Sequence, residues 1–284
     1  MSARTTTSPA GILLRLEIAE ALRSRWLVFT TGVYVLLFAG FVWLGLREST
    51  VLGFTGISRV VLNVSNAVVL AVPLVALVAT SQVIVKARQS GFFELMLSGP
   101  VRRRDWFVSA VASRMVVVAG PLFVLFGVAL LASRFRGAAD PETLPVVARC
   151  LLVTGALAWA FTGIGFYVSS VARTQERAIV LALVVFVMAS ALHDFALIGA
   201  LLRFRLSPTA VFVLAASNPV EAARVAVLSG VDPELSVLGP VGFWFANTLG
   251  PRLALCIGVG WPAFLGTLCL WRASRRLHAS HLVG

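Results

Sequence analysis

Acidic residues are scarce in this 284-residue chain, 12 against 24 Lys and Arg, for a net charge of +12. Lysine is scarcer still. The one lysine, Lys86, sits in Ile84-Val85-Lys86-Ala87 with no glycine-rich approach, which excludes a Walker-type phosphate loop and with it a P-loop ATPase. The three cysteines, Cys150, Cys256 and Cys269, are far apart and fall in apolar runs, so neither a disulfide framework nor a thiolate metal site is indicated. There is no His-Glu-x-x-His and no Gly-x-Ser-x-Gly. Too little polar sequence remains outside the apolar runs for a sizeable soluble domain.

What is present is apolar: 59% of residues are hydrophobic and the mean hydropathy is +0.94. A bilayer core about 30 Å thick needs roughly 20 apolar residues of helix to cross it. Spans are expected at Trp26 to Leu46, Val60 to Val85, Met115 to Ala132, Cys150 to Ala172, Ala178 to Leu202 and Leu253 to Trp271. Unpaired backbone amides are costly in hydrocarbon and period-2 alternation is absent, so helices are expected and not barrel strands. The first stretch follows basic residues, as a secretory leader would. It lacks a small-x-small cleavage site before Arg47, and a retained span is expected.

The expected fold is all-α and polytopic, with three regions. Residues 1–25 form a loose tail and an interfacial helix over Ala10 to Arg25, residues 26–271 the six-helix membrane domain, and residues 272–284 a cytoplasmic tail. Basic residues set the orientation. With the N-terminus inside, Arg4, Arg15, Arg23, Arg25, Lys86, Arg88, Arg102, Arg103, Arg104, Arg173, Arg177, Arg272, Arg275 and Arg276 are cytoplasmic, against Arg47, Arg59, Arg134, Arg136, Arg203, Arg205, Arg224 and Arg252 outside. That bias places both termini in the cytoplasm of a multi-pass inner-membrane protein. The arginines flank spans instead of forming one tract with interleaved aromatics, so anionic lipid is the expected counter-charge and nucleic acid is not.

Two segments between spans stand out. Ser90-Gly91-Phe92-Phe93-Glu94-Leu95-Met96-Leu97-Ser98 is a short helix-compatible run closed by Gly99-Pro100 and followed by Val101-Arg102-Arg103-Arg104. Arg203 to Arg252 is too long for a turn and too apolar for a solvated loop. Within it, Leu206 to Ala216 and Val220 to Leu228 read as short helices broken by Asn218-Pro219, lying in the outer interface or dipping into protein. Their apolar surface should be covered by the bilayer interface, a second copy or an extracytoplasmic protein, with Asn218, Pro219, Glu221 and Arg224 as candidate contacts.

Polar residues within the spans give further candidates. His193-Asp194, late in the fifth span, is either a functional ionisable pair at membrane depth or the solvated end of a helix. Asn63, Ser65 and Asn66 in the second span, and Gly155, Gly163 and Gly165 in the fourth, line a cavity or subunit interface or else pack helices, the commoner role. A copper path would need soft ligands in succession. Met96, Met115 and Met188 are scattered and His278-x-x-His281 lies in the tail, so no metal site and no catalytic residue are expected.

The Phe92 to Arg103 segment resembles the permeases of the ABC-2 class, in which a cytoplasmic hairpin between spans two and three reads Gly-x-x-Glu-x-Leu-Leu, then Pro, then Arg. Gly91, Glu94, Leu95, Leu97, Pro100 and Arg103 fit that pattern, while Lys86-Ala87-Arg88-Gln89 stands where many members are acidic. The resemblance narrows to NosY-like permeases of the transporter serving copper-site maturation in nitrous oxide reductase. Arg23-Ser24-Arg25-Trp26, Gly53-Phe54-Thr55, Asn218-Pro219-Val220-Glu221-Ala222-Ala223-Arg224 and Leu228-Ser229-Gly230 carry it. It implies a non-catalytic subunit that pairs with a second copy and two cytoplasmic ATPase subunits, with those six hairpin residues at the ATPase contact. ATP and Mg²⁺ would sit on the ATPase, and this chain would bind no cofactor. The cargo would be a copper or sulfur species. Rival readings are an ABC-2 exporter of a drug, lipid or peptide, a membrane enzyme using His193 and Asp194, and a passive assembly anchor.

Overall fold

The computed structural model describes residues 9–52, 57–97, 102–135, 143–204, 206–232, 235, 239–248 and 250–279. Among them there are helices and no strands. Helix α1 (Pro9–Leu22) ends at Ser24, whose Oγ accepts from the Leu27 N–H at 3.2 Å and so starts α2 (Arg25–Leu52). α1 packs along α6 (Arg103–Phe135), as an interfacial helix flanking the bundle would.

Helix α3 (Ile57–Thr80) continues after a turn into α4 (Val83–Gln89), and Gly91 leads into α5 (Phe92–Leu97). Next come α7 (Thr143–Val171), α8 (Gln175–Val187), a π-turn (Met188–Leu192) and α9 (His193–Arg203). Helices α10 (Pro208–Ser217), α11 (Pro219–Val231), α12 (Gly239–Thr248) and α13 (Gly250–Ala279) complete the order. Ala67–Gln89, Arg103–Leu131, Leu144–Val171, Gln175–Arg203 and Gly250–His278 are each long and apolar enough to cross a membrane. They correspond to the second to sixth expected spans. The first corresponds to α2, whose Arg25–Gly40 portion is apolar.

Helix α7 forms the centre. Its Val153, Leu157 and Phe161 are buried against Val69, Val72 and Ala76 of α3, Tyr34 of α2 and Val220 and Ala223 of α11. Small residues let the backbones meet. A Cβ on Gly163 would strike the backbone of Gly266 on α13, and one on Gly165 would strike Thr80. These two glycines therefore pack helices.

The expected break at Asn218-Pro219 is real: α10 and α11 meet at a bend of 113°. Of the two expected placements, the outer interface and a dip into protein, α11 takes the second. Val220, Val227 and Leu228 are buried in this chain's own core, and Gly258 of α13 lies directly on Ala222 and Ala226. The α11 half of the segment is covered because it packs into the bundle, while Val213 and Leu214 of α10 stay exposed.

Candidate coupling hairpin and outer polar cluster

The hairpin is built around one glycine and one serine. Gly91 has φ +70°, a left-handed conformation that a side chain would strain, and it reverses the chain between α4 and α5. The N–H groups of Ile84 and Val85 open α4 without intrahelical partners. Both donate instead to Ser169 Oγ of α7, at 2.9 and 3.2 Å. Arg88 donates to the Ser170 carbonyl at 3.4 Å, and Gln175 donates to the Gln89 side chain at 2.9 Å.

Aromatic packing seats α5 on its neighbours. Phe93 is buried with its ring centroid 5.1 Å from that of Trp106, edge to face, and Phe92 lies 5.8 Å from the same indole. Phe107 meets Phe166 of α7 at 5.4 Å. Such pairs contribute about 0.5–1.5 kcal/mol each beyond area burial. The opposite face of α5 is outward: Leu95 is 73% exposed. Ring contacts thus join α5 to α6, and α6 to α7.

A second constellation lies towards the other end of the bundle. Arg224 of α11 is 2.7 Å from the Glu221 carboxylate and 3.6 Å from that of Asp194 on α9. The π-turn precedes it, with the His193 N–H reaching back five residues to the Met188 carbonyl. Asn218 spans the break: its Oδ1 accepts from the Val220 N–H at 2.9 Å and its Nδ2 donates to the Ala189 carbonyl at 2.5 Å. The arrangement sets two carboxylates against one guanidinium and offers no nucleophile–base pair.

The profile of the ABC-2 family transporter proteins matches residues 12–272. The chain belongs to this family. It is similar to a protein described as a probable ABC transporter permease protein NosY in Stutzerimonas stutzeri, 25% identical over 257 residues, 89% of this chain and 91% of that one. The corresponding probable NosY of Pseudomonas aeruginosa is 28% identical over 227 residues, 78% of this chain and 82% of that one. The chain is thus an ABC-2 permease subunit of an ABC transporter, an integral membrane component.

The sites expected from the ABC-2 pattern are partly brought together. Gly91, Glu94, Leu95 and Leu97 lie in or beside α5, whereas Pro100 lies outside the described residues. Arg103 donates to the Leu277 carbonyl at 3.3 Å, tying the start of α6 to the end of α13. Asn63 and Asn66 lie on α3. The helix runs on to Arg203, so His193 and Asp194 do not lie at its end. Asn218 and Pro219, expected at an outer contact, are buried in the chain, and Glu221 and Arg224 are engaged with Asp194.

Arg149 escaped the sequence reading. Near the start of α7, its Nε donates to the Ala226 carbonyl at 2.6 Å, and its Nη2 donates to Ser229 Oγ and to the Pro251 carbonyl, each at 2.7 Å. One guanidinium thus pins the last turn of α11 to the start of α13. The available signal was an arginine opening an apolar span opposite the Leu228-Ser229-Gly230 turn.

Proposed function

We propose that this permease works as a pair, with both termini in the cytoplasm of an inner membrane, and that α5 receives the stroke of a separate ATPase dimer. The observation that carries this reading is the seating of α5: Phe93 and Trp106 lock it inward while Leu95 faces outward. ATP and Mg²⁺ would be held on the ATPase. Binding energy there biases two nearly isoenergetic arrangements of the helices, and the permease supplies the rigid lever.

We further propose that the transporter serves assembly of the copper sites of nitrous oxide reductase, moving a copper or sulfur species. Support comes from similarity along most of the chain to two probable NosY permeases. An extracytoplasmic accessory protein would meet the outer surface of α10, where Val213 and Leu214 are exposed. The test is deletion of this chain's gene in its own host. Nitrous oxide reductase purified from that strain should lack copper signals, and re-expression of the chain should restore them. A fully metallated reductase from the deletion strain would reassign the permease to export of another cargo.

A further inference from the structure

A groove of about 1020 Å³ runs between α6 and α13, bordered by Trp159 of α7. Its size is at the top of the range of about 300–1,000 Å³ typical of small-molecule sites. On α6, Arg104, Phe107, Val108 and Val111 line it at three- and four-residue steps, so they share one face. On α13, Leu270, Trp271, Ser274, Arg275 and His278 do the same. Arg104 opens α6 while Arg275 and His278 close α13, so both faces grade from apolar to cationic towards the same end of the bundle.

The cationic end is pre-arranged. The Arg275 guanidinium lies 4.0 Å above the Trp271 ring, and stacking by its flat face leaves the in-plane N–H groups for a ligand. His278 Nδ1 donates to the Ser274 carbonyl at 2.7 Å, which fixes the ring at the rim. Among the described residues no carboxylate lines the groove to neutralise these groups. A small hydrophilic anion would leave the walls of Phe107, Val111 and Leu270 unused. An uncharged acyl chain would leave the arginines unused.

We propose that this groove binds an anionic phospholipid, its acyl chain along Phe107, Val111 and Leu270 and its phosphate at Arg104 and Arg275. Basic pockets between membrane helices at headgroup level recognise such lipids. The charge also argues against a second copy: a two-fold contact through this face would set each Arg104–Arg275 pair against its own image. The assignment holds whatever the cargo of the transporter.

The test uses the full chain in phosphatidylcholine nanodiscs doped with dibrominated phosphatidylglycerol or dibrominated phosphatidylcholine, read by quenching of tryptophan fluorescence. The expected result is a several-fold preference for the brominated phosphatidylglycerol. The preference should fall to about one in the Arg104→Gln, Arg275→Gln variant, with helical circular dichroism unchanged. It should persist in the Arg104→Lys, Arg275→Lys variant and in Arg15→Gln, an exposed arginine on α1. Raising salt should reduce the wild-type preference without any substitution. Equal quenching by the two lipids, a preference surviving the double glutamine change, or equal loss in Arg15→Gln would overturn the site. So would oxidative cross-linking of a cysteine placed at Val108 to a second copy, since protein would then fill the groove.

Discussion

The Asn218 side-chain amide donates to the Ala189 carbonyl across the break between α10 and α11, at the turn where the helix carrying Ala189 widens into a π-turn. One side chain thus caps α11 and bonds the backbone of the preceding span. Asn218→Ala removes both contacts. Loss of an N-cap alone costs about 0.5–2 kcal/mol, and loss of the bond to the Ala189 carbonyl adds to it. Asn218→Asp keeps the cap but puts a carboxylate on a carbonyl, and should be no more stable than the alanine variant. Thermal unfolding of the purified permease, followed by tryptophan fluorescence, reads both. A melting temperature unchanged in both variants would refute the bridging role.

Gly163 and Gly266 offer a cleaner test of helix packing. A Cβ on Gly266 would lie 2.6 Å from the Trp159 carbonyl oxygen, backbone that has no flexible end to give way. Gly266→Ala and Gly163→Ala should each destabilise by about 1–3 kcal/mol, the usual scale of overpacking. Gly260, on the same helix with open space at its Cβ, is the control. Gly260→Ala should leave the melting temperature unchanged or raise it slightly.

Much of this architecture is legible in the sequence because a bilayer imposes a simple rule: apolar length gives spans, and basic residues mark their ends. The Gly91 turn and the Asn218-Pro219 break were readable for a local reason, since each residue has a backbone habit that neighbours do not override. What hides from sequence is depth. Val220 to Leu228 could lie in the outer interface or dip into protein, because nothing in the composition of α11 decides between the two. The link from Arg149 to Ala226, Ser229 and Pro251 is equally long-range. The π-turn at Met188–Leu192 has no residue signature in this sequence at all.

Arg149 gives a graded prediction. Hydrogen bonds to charged groups contribute about 1.5–3 kcal/mol each, and Arg149→Ala abandons acceptors on α11 and α13 together. The loss should reach several kcal/mol and lower expression of folded protein. Arg149→Lys should recover only part of it, because one ammonium cannot reproduce the guanidinium fork. Yield of monodisperse protein in detergent and its melting temperature measure the series. Full rescue by lysine would show that charge, and not geometry, matters there.

Glu17 makes the docking of α1 depend on pH. Burial against α6 raises its carboxyl above the usual 4.5, the repulsion of Glu20 adding to burial and Arg114, Ser113 and Trp106 opposing it. A raised pKa means the folded state binds the proton more tightly than the unfolded one. The stabilising contribution is therefore complete below about 4.5 and is lost as pH rises through the raised value. Above that raised value the ionised Glu17 weakens docking. Glu17→Gln should flatten the pH dependence and slow proteolysis at Arg15 at pH 7, measured by limited trypsin digestion in detergent. Faster cleavage in the glutamine variant would reverse the sign and identify attraction to Arg114 as dominant.

The hairpin makes the last prediction, because two of its residues should separate folding from coupling. Leu95 is exposed on α5 while Phe93 is buried beneath it. Leu95→Asp places a charge on the exposed face of α5, so the melting temperature of the isolated permease should hold within the range of a surface substitution, about 0.5 kcal/mol. Phe93→Ala empties a buried aromatic site and should cost about 3–5 kcal/mol. If α5 meets an ATPase, Leu95→Asp should abolish co-purification of that subunit or uncouple ATP hydrolysis from transport, in a protein that is otherwise intact. Arg103→Ala should behave differently, loosening the tie to Leu277 at the end of α13 and lowering stability before it touches coupling. An ATPase that still co-purifies and couples with Leu95→Asp would place the contact elsewhere on the basic end of the bundle. The exposed ends of α6 and α13 would then be the surface to test.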